Sequence, residues 1–211
     1  DHALYLVAER RKHALLEHLL TRDDCDSAIV FTRTKHRARR LAARLSEQGH
    51  RAVSLQGNLS QAQRDRAMRG FRSRRYDILV ATDIAARGID VSGVSHVINF
   101  DVPNTPEGYT HRIGRTGRAE REGVACTFVT GSDRGWVLAT ERMIGAAIPR
   151  RRVEGFEPDF DEKPEHRSSP RGSPRGARPG GHPRSSRRSS DGRRRSRRRT
   201  GTTGSARPSS R

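Results

Sequence analysis

The chain has 211 residues, a formal net charge of +19 and 31% hydrophobic residues, so its basic charge has to be located before any motif is read. No run of about eighteen apolar residues occurs, which excludes a membrane-spanning helix. Cys25 and Cys126 stand alone, which disfavours a disulfide framework or a zinc site and favours a reducing compartment, the cytoplasm.

The first strand signal is "SAIVF" (Ser27 to Phe31), followed by "KHRARRLAARLSEQ", where Ala38, Leu41, Ala42 and Leu45 recur at helical spacing. "AVSL" (Ala52 to Leu55) is a second strand, and Ser60 caps a helix that buries Ala67, Met68 and Phe71. "YDILVAT" and "VSHVINF" are two further buried runs. "TPEGYTHRI" then predicts a short helix opened by Thr105, with Pro106 in its first turn. "GVACTFV" gives one more strand, and "SDRGWVLATERMIGAA" a closing helix whose Trp136 and Met143 are expected to pack into the core. Strands separated by helices predict an open, mostly parallel α/β sheet covered on both faces. Functional groups of such sheets collect in loops beyond the carboxyl ends of the strands.

Those loops are rich in donors. Thr32, Arg33, Thr34 and Lys35 follow the first strand, Gln56, Gly57, Gln61 and Arg64 the second, and Thr82, Asp83, Arg87, Gly88 and Asp90 the third. Hydroxyls, amides, guanidinium groups and glycine backbone suit phosphate oxygens. Asp83 is read as a positioning partner for a nearby arginine rather than a metal ligand or base. His96 reads as a core or rim histidine, and His36 and His50 show no metal spacing, so no metal site is expected. "YTHRIGRTGR" (Tyr109 to Arg118) sets Arg112, Arg115 and Arg118 three apart. With Thr105 to Arg112 helical, Arg112 and Arg115 lie near one face. Gly114 and Gly117 let the backbone leave the helix so that Arg118 approaches the same ligand.

The segments "AIVFTRTK", "LQGNLSQAQRDRAM", "LVATDIAARGIDV" and "VINFDVPNTPEGYTHRIGRTGR" resemble, in order and spacing, those of the second RecA-like domain of DEAD-box RNA helicases. The resemblance covers essentially residues 1–156, and the stretch from His2 to Leu20 looks like the linker and first helix leading into that domain. It implies a RecA-like fold and an ATP-dependent RNA helicase. Arg115 and Arg118 match the arginines that reach across a cleft to the γ-phosphate. Arg87 and Asp90 match positions near the phosphates and ribose, and His111 and Arg112 match residues linking the cleft to the partner domain. Thr34, Gln61, Arg64, Thr82 and the backbone at Gly57 and Gly88 match contacts to RNA phosphates and sugars, which give affinity without reading sequence. Gln56 departs from the family pattern, where many relatives carry histidine.

Residues 166–211 hold fifteen arginines and one acid, Asp191, a net +14, which leaves +5 for residues 1–165. No aliphatic or aromatic side chain larger than alanine occurs in "SSPRGSPRGARPGGHPRSSRRSSDGRRRSRRR", so residues 157–211 are expected to be a disordered, RNA-binding tail. With such a tail the chain looks most like the bacterial RhlE-like subgroup. A Gly-x-x-x-x-Gly-Lys-[Ser/Thr] loop and an Asp-Glu-Ala-Asp tetrapeptide are both missing, and the chain starts with Asp1. The expectation is therefore the carboxyl-terminal half of a helicase, with ATP and Mg2+ held mainly by a first RecA-like domain. Such a half binds RNA but does not hydrolyse ATP alone. The alternative is a stand-alone RNA-binding or annealing module acting through the tail.

Overall fold

A computed structural model describes residues 1–87, 91, 93–117 and 123–156; the expected tail lies outside them, as do Gly88, Asp90 and Arg118. The strands are β1 (His2–Leu6), β2 (Ala28–Phe31), β3 (Ala52–Leu55), β4 (Ile78–Ala81), β5 (His96–Asn99), β6 (Val124–Val129) and β7 (Arg150–Arg151). Between them lie α1 (Lys12–Leu20), α2 (Lys35–Glu47), α3 (Gln61–Arg72), α4 (Asp83–Ala86), α5 (Pro106–Ile113) and α6 (Arg134–Ile144).

The seven strands form one sheet in the order β3-β4-β2-β5-β6-β1-β7, and every pairing is parallel. The architecture is RecA-like. Ala28 stands level with Ile78 on one side and His96 on the other. Alternation along each strand divides the core in two. Val30, Val80, Ile98, Phe100 and Phe128 pack with Leu41 and Leu45 of α2 and Leu15, Leu16 and Leu19 of α1. Ile29, Phe31, Leu55, Leu79 and Val97 pack on the opposite face with Met68 and Phe71 of α3. A third cluster joins Leu4, Val102, Tyr109, Val129 and Val137 beneath α5 and α6.

Local chemistry fixes the helix starts. Thr34 accepts from the backbone N–H of Arg37, and Thr105 from that of Gly108. Ser60 and Gln63 complete a reciprocal capping box at α3. The chain order then aims the functional loops. From β2 the chain leaves through α2 toward β3, whereas from β5 it leaves through α5 toward β6, so β2 and β5 are neighbours with connections departing in opposite directions. A crevice opens at the carboxyl ends of such a strand pair.

Two expectations need correction. The opening stretch, expected to be a linker and first helix, holds a strand before the helix: Ala3, Leu4 and Tyr5 are buried and β1 pairs with β6 from His2 opposite Ala125 to Leu6 opposite Val129. Parallel strands covered on both faces read as continuous apolar runs, and "ALYL" is one. Met143 is 40% exposed rather than core, while Trp136 is half-buried edge-on against Tyr109 at 5.7 Å. The buried stripe of α6 runs through Val137 and Thr140 instead.

Candidate functional site at the sheet rim

Arg112 organises the crevice. It lies on the last turn of α5, is 3% exposed, and stacks 4.9 Å above the Phe31 ring. Its Nε and Nη2 donate to the two carboxylate oxygens of Asp83, at 2.6 and 2.7 Å, and Nη1 donates to Asn99 Oδ1 (3.0 Å) and the Asp101 carbonyl (2.7 Å). This planar fork on a carboxylate is the strong form of the charge-assisted hydrogen bond. The expectation that Asp83 positions an arginine fits this geometry. Presentation of Arg112 itself to a nucleotide or a partner domain does not, because these bonds turn the guanidinium inward.

Asp101, 2% exposed, extends the network. Its Oδ2 accepts from the Arg33 backbone N–H at 2.9 Å, and its Oδ1 lies 2.9 Å from Arg37 and 3.8 Å from buried Lys12. Lys12 also pairs with Glu9 at 2.8 Å, and Arg37 pairs with the same carboxylate. Burial opposes ionisation of Glu9, but Lys12 and Arg37 overcome it and hold its carboxyl below the usual range. Both cations also face the Phe100 ring. Sequence reading singled out neither Asp101 nor Asn99, which donates to Thr127 Oγ1 at 2.8 Å. The available signal was a pair of polar residues ending an otherwise apolar strand, "VINFD".

The remaining expected residues fall in two groups. Thr34 is exposed and caps α2; Lys35 bridges to Asn58 at 3.1 Å, tying the loop after β2 to the loop after β3. Gly57 is exposed, and a Cβ built there meets nothing within 4 Å. Gln61 donates to Asp65, and Arg64 donates to the Ala85 carbonyl at 3.1 Å, joining α3 to α4. Thr82 is buried at the start of α4. These loops adjoin along one stretch of rim. In the second group, Arg115 follows Arg112 by one turn, its N–H donating to the Arg112 carbonyl, and it lines a small hollow with Phe31, Ala81, Ala86 and Val91. His111, beside Arg112 on α5, and Arg87, directly after α4, are exposed. No group of three or more metal-ligating side chains occurs among the described residues.

A family described as "Helicase conserved C-terminal domain" matches residues 11–120, a span that contains every element from α1 to α5 and all of this rim. The chain belongs to this helicase family. Curated relatives of this helicase domain are DEAD-box ATP-dependent RNA helicases. CshA of Bacillus subtilis (strain 168) is 46% identical over 156 residues, 74% of this chain and 31% of that protein. CshA of Geobacillus kaustophilus is 47% identical over 152 residues, 72% of this chain and 32% of the relative. The chain thus spans about a third of the length of the relatives it matches. Among solved structures, E. coli DEAD-box protein SrmB superposes with a TM-score of 0.70 at 40% identity, over 74% of this chain and 94% of that one. The C-terminal domain of Dbp5 gives 0.65 at 36% identity, over 74% and 89% respectively. The helicase C-terminal domain is therefore of the DEAD-box kind, and these comparisons lend the RhlE-like subgroup no support.

Proposed function

We propose that this domain supplies half of the RNA cleft and the phosphate-facing arginines of an ATP-dependent RNA helicase, its other half being a first RecA-like domain. The observation that carries the reading is the Arg112 clamp, which fixes α5 against Asp83, Asn99 and Asp101 and so fixes the start of the turn bearing Arg115. A preset cation stabilises charge developing on a phosphoryl group without reorganising at the moment of reaction. Arg118, three residues further on, and Arg87, Asp90 and His111 are assigned to the same nucleotide side. Arg112 is assigned a positioning role.

The rim chemistry fits phosphate better than metal: it offers guanidinium groups, hydroxyls and amides but no carboxylate cluster among the described residues. ATP, when bound, supplies the transferable phosphoryl group, and the ligands of Mg2+ are assigned to the first domain. On the RNA side, Thr34, Gly57, Gln61, Arg64, Thr82 and Gly88 form a sequence-independent track for phosphates and sugars. Gly57 supports this: its φ is not left-handed and nothing inside the domain crowds its Cβ, so the absence of a side chain serves close approach of an external backbone.

The test is RNA-stimulated ATPase activity of the full chain mixed with the first domain of a DEAD-box helicase. Activity is expected only in the mixture, falling about a hundredfold or more with Arg115→Ala. Gly57→Ala is expected to leave the melting temperature unchanged and to weaken RNA binding. Activity that survives Arg115→Ala overturns the arginine assignment. RNA binding without activity in any mixture favours the stand-alone binding module.

A further inference from the structure

The folded region's excess positive charge comes from one part of the chain. Residues 33–75 carry thirteen lysines and arginines against two acids, a net +11, whereas the rest of residues 1–156 carries fourteen bases and sixteen acids, a net −2. That segment comprises α2, β3 and α3, the elements at the β3 end of the sheet. Several of its cations are committed internally: Arg37 to Glu9 and Asp101, Arg51 to Asp77, Arg64 to the Ala85 carbonyl, and Arg74 to the Asp26 carbonyl.

The outward face of α3 is different. Its inner face is Ala67, Met68, Gly70 and Phe71, and Arg66, Arg69 and Arg72 form an exposed row at three-residue spacing. Among the described residues Arg66 and Arg69 take part in no ion pair, and the one acid of the helix, Asp65, accepts from Gln61. Like charges one turn apart on a helix destabilise it by a few tenths of a kcal/mol. A helix that only needed a solvated face would gain by alternating their sign. The row begins within a turn of Arg64 and runs away from the rim along a helix about 18 Å long. Guanidinium groups are the side chains best matched to phosphate.

We propose that the outer face of α3, through Arg66 and Arg69, is a second phosphate-binding surface that holds the RNA backbone after it leaves the rim. The proposal rests on the rim being an RNA track, and extends the footprint of that track beyond the cleft. It makes affinity depend on RNA length: a strand long enough only for the rim never reaches these arginines, and a longer one does.

The experiment measures binding of the full chain to a 6-nucleotide and a 20-nucleotide single-stranded RNA across a salt series, comparing parent, Arg66→Gln/Arg69→Gln and Arg64→Ala. For the double variant the expected result is unchanged affinity for the short RNA. For the long RNA, binding weakens about tenfold at low salt, and the slope of log K against log salt becomes shallower by about 1.4, since each lost phosphate contact accounts for about 0.7. Arg64→Ala weakens both RNAs. If the double variant matches the parent on the long RNA while Arg64→Ala still weakens binding, the α3 surface is refuted and the rim reading stands. If Arg64→Ala too is without effect, both fail. A double variant that binds RNA as the parent does but no longer self-associates in sedimentation assigns the face to contact with a second copy, and also overturns the proposal.

Discussion

Replacing Arg112 with lysine keeps the charge and removes the fork, so it isolates what the geometry contributes. Lysine is a point charge that reaches one of the four acceptors, leaving partly exposed Asp83, buried Asn99 and the Asp101 carbonyl underpaired. The expected loss is about 3 kcal/mol, read as a lowered denaturant midpoint with unchanged slope. Tyr109, on the same helix, is fully buried, and burial pushes its hydroxyl up to about 12, so it stays neutral where it meets His2 Nδ1 at 2.8 Å. Arg112, the first arginine of "HRIGRTGR", is committed to contacts within the domain. Motif spacing cannot distinguish an arginine aimed outward from one aimed inward, because that depends on whether the loops brought alongside carry acceptors. Asp83 and Asp101 reach Arg112 from 29 and 11 positions away, and that convergence was legible only at Asp83.

At the scale of elements, α3 has the least tolerance at its inner end. A Cβ on Gly70 would stand 2.6 Å from the Tyr76 ring carbons, so Gly70→Ala forces the ring or the helix end aside. Thermal unfolding is expected to report a loss of about 1–3 kcal/mol despite the better helix propensity of alanine. The central elements were readable from pattern. The runs of β2 and β4 are apolar throughout, and α2 and α3 carry both an apolar stripe and a Thr or Ser cap. The outermost strands were not. β7 is two residues long, both arginine and both exposed; it exists because Leu4 donates to the Pro149 carbonyl at 2.8 Å, a tertiary contact with no local signal. β1 was apolar enough to be seen, but five residues at the start of a chain give no flanking turn to mark them.

For the molecule as a whole, the histidines set an acid limit. Burial lowers His2, His13 and His96 below 6.5, and Arg44, Arg37 and Arg40 add to the effect at His13. Asp24 opposes the shift at His96 without reversing it. Each binds fewer protons folded than unfolded just below pH 6.5, so stability falls as pH drops through that value. Melting temperature is expected to decline between pH 7.5 and 5.5, and His96→Gln to flatten the decline. A second loss follows below about pH 4.5, where Glu9 and Asp24, whose carboxyls are held low in the fold, take up protons.

The place of β1 in the sheet sets the timetable of synthesis. It lies between β6 and β7, its His2 opposite Ala125, so the first strand of this domain to be synthesised finds a partner only after most of the domain has been translated. Until then the nascent chain can assemble β2, β3, β4 and β5, while "HALYL" waits with an unpaired backbone. Non-local closure of this kind is slow, and strands kept waiting are prone to pair with the wrong chain.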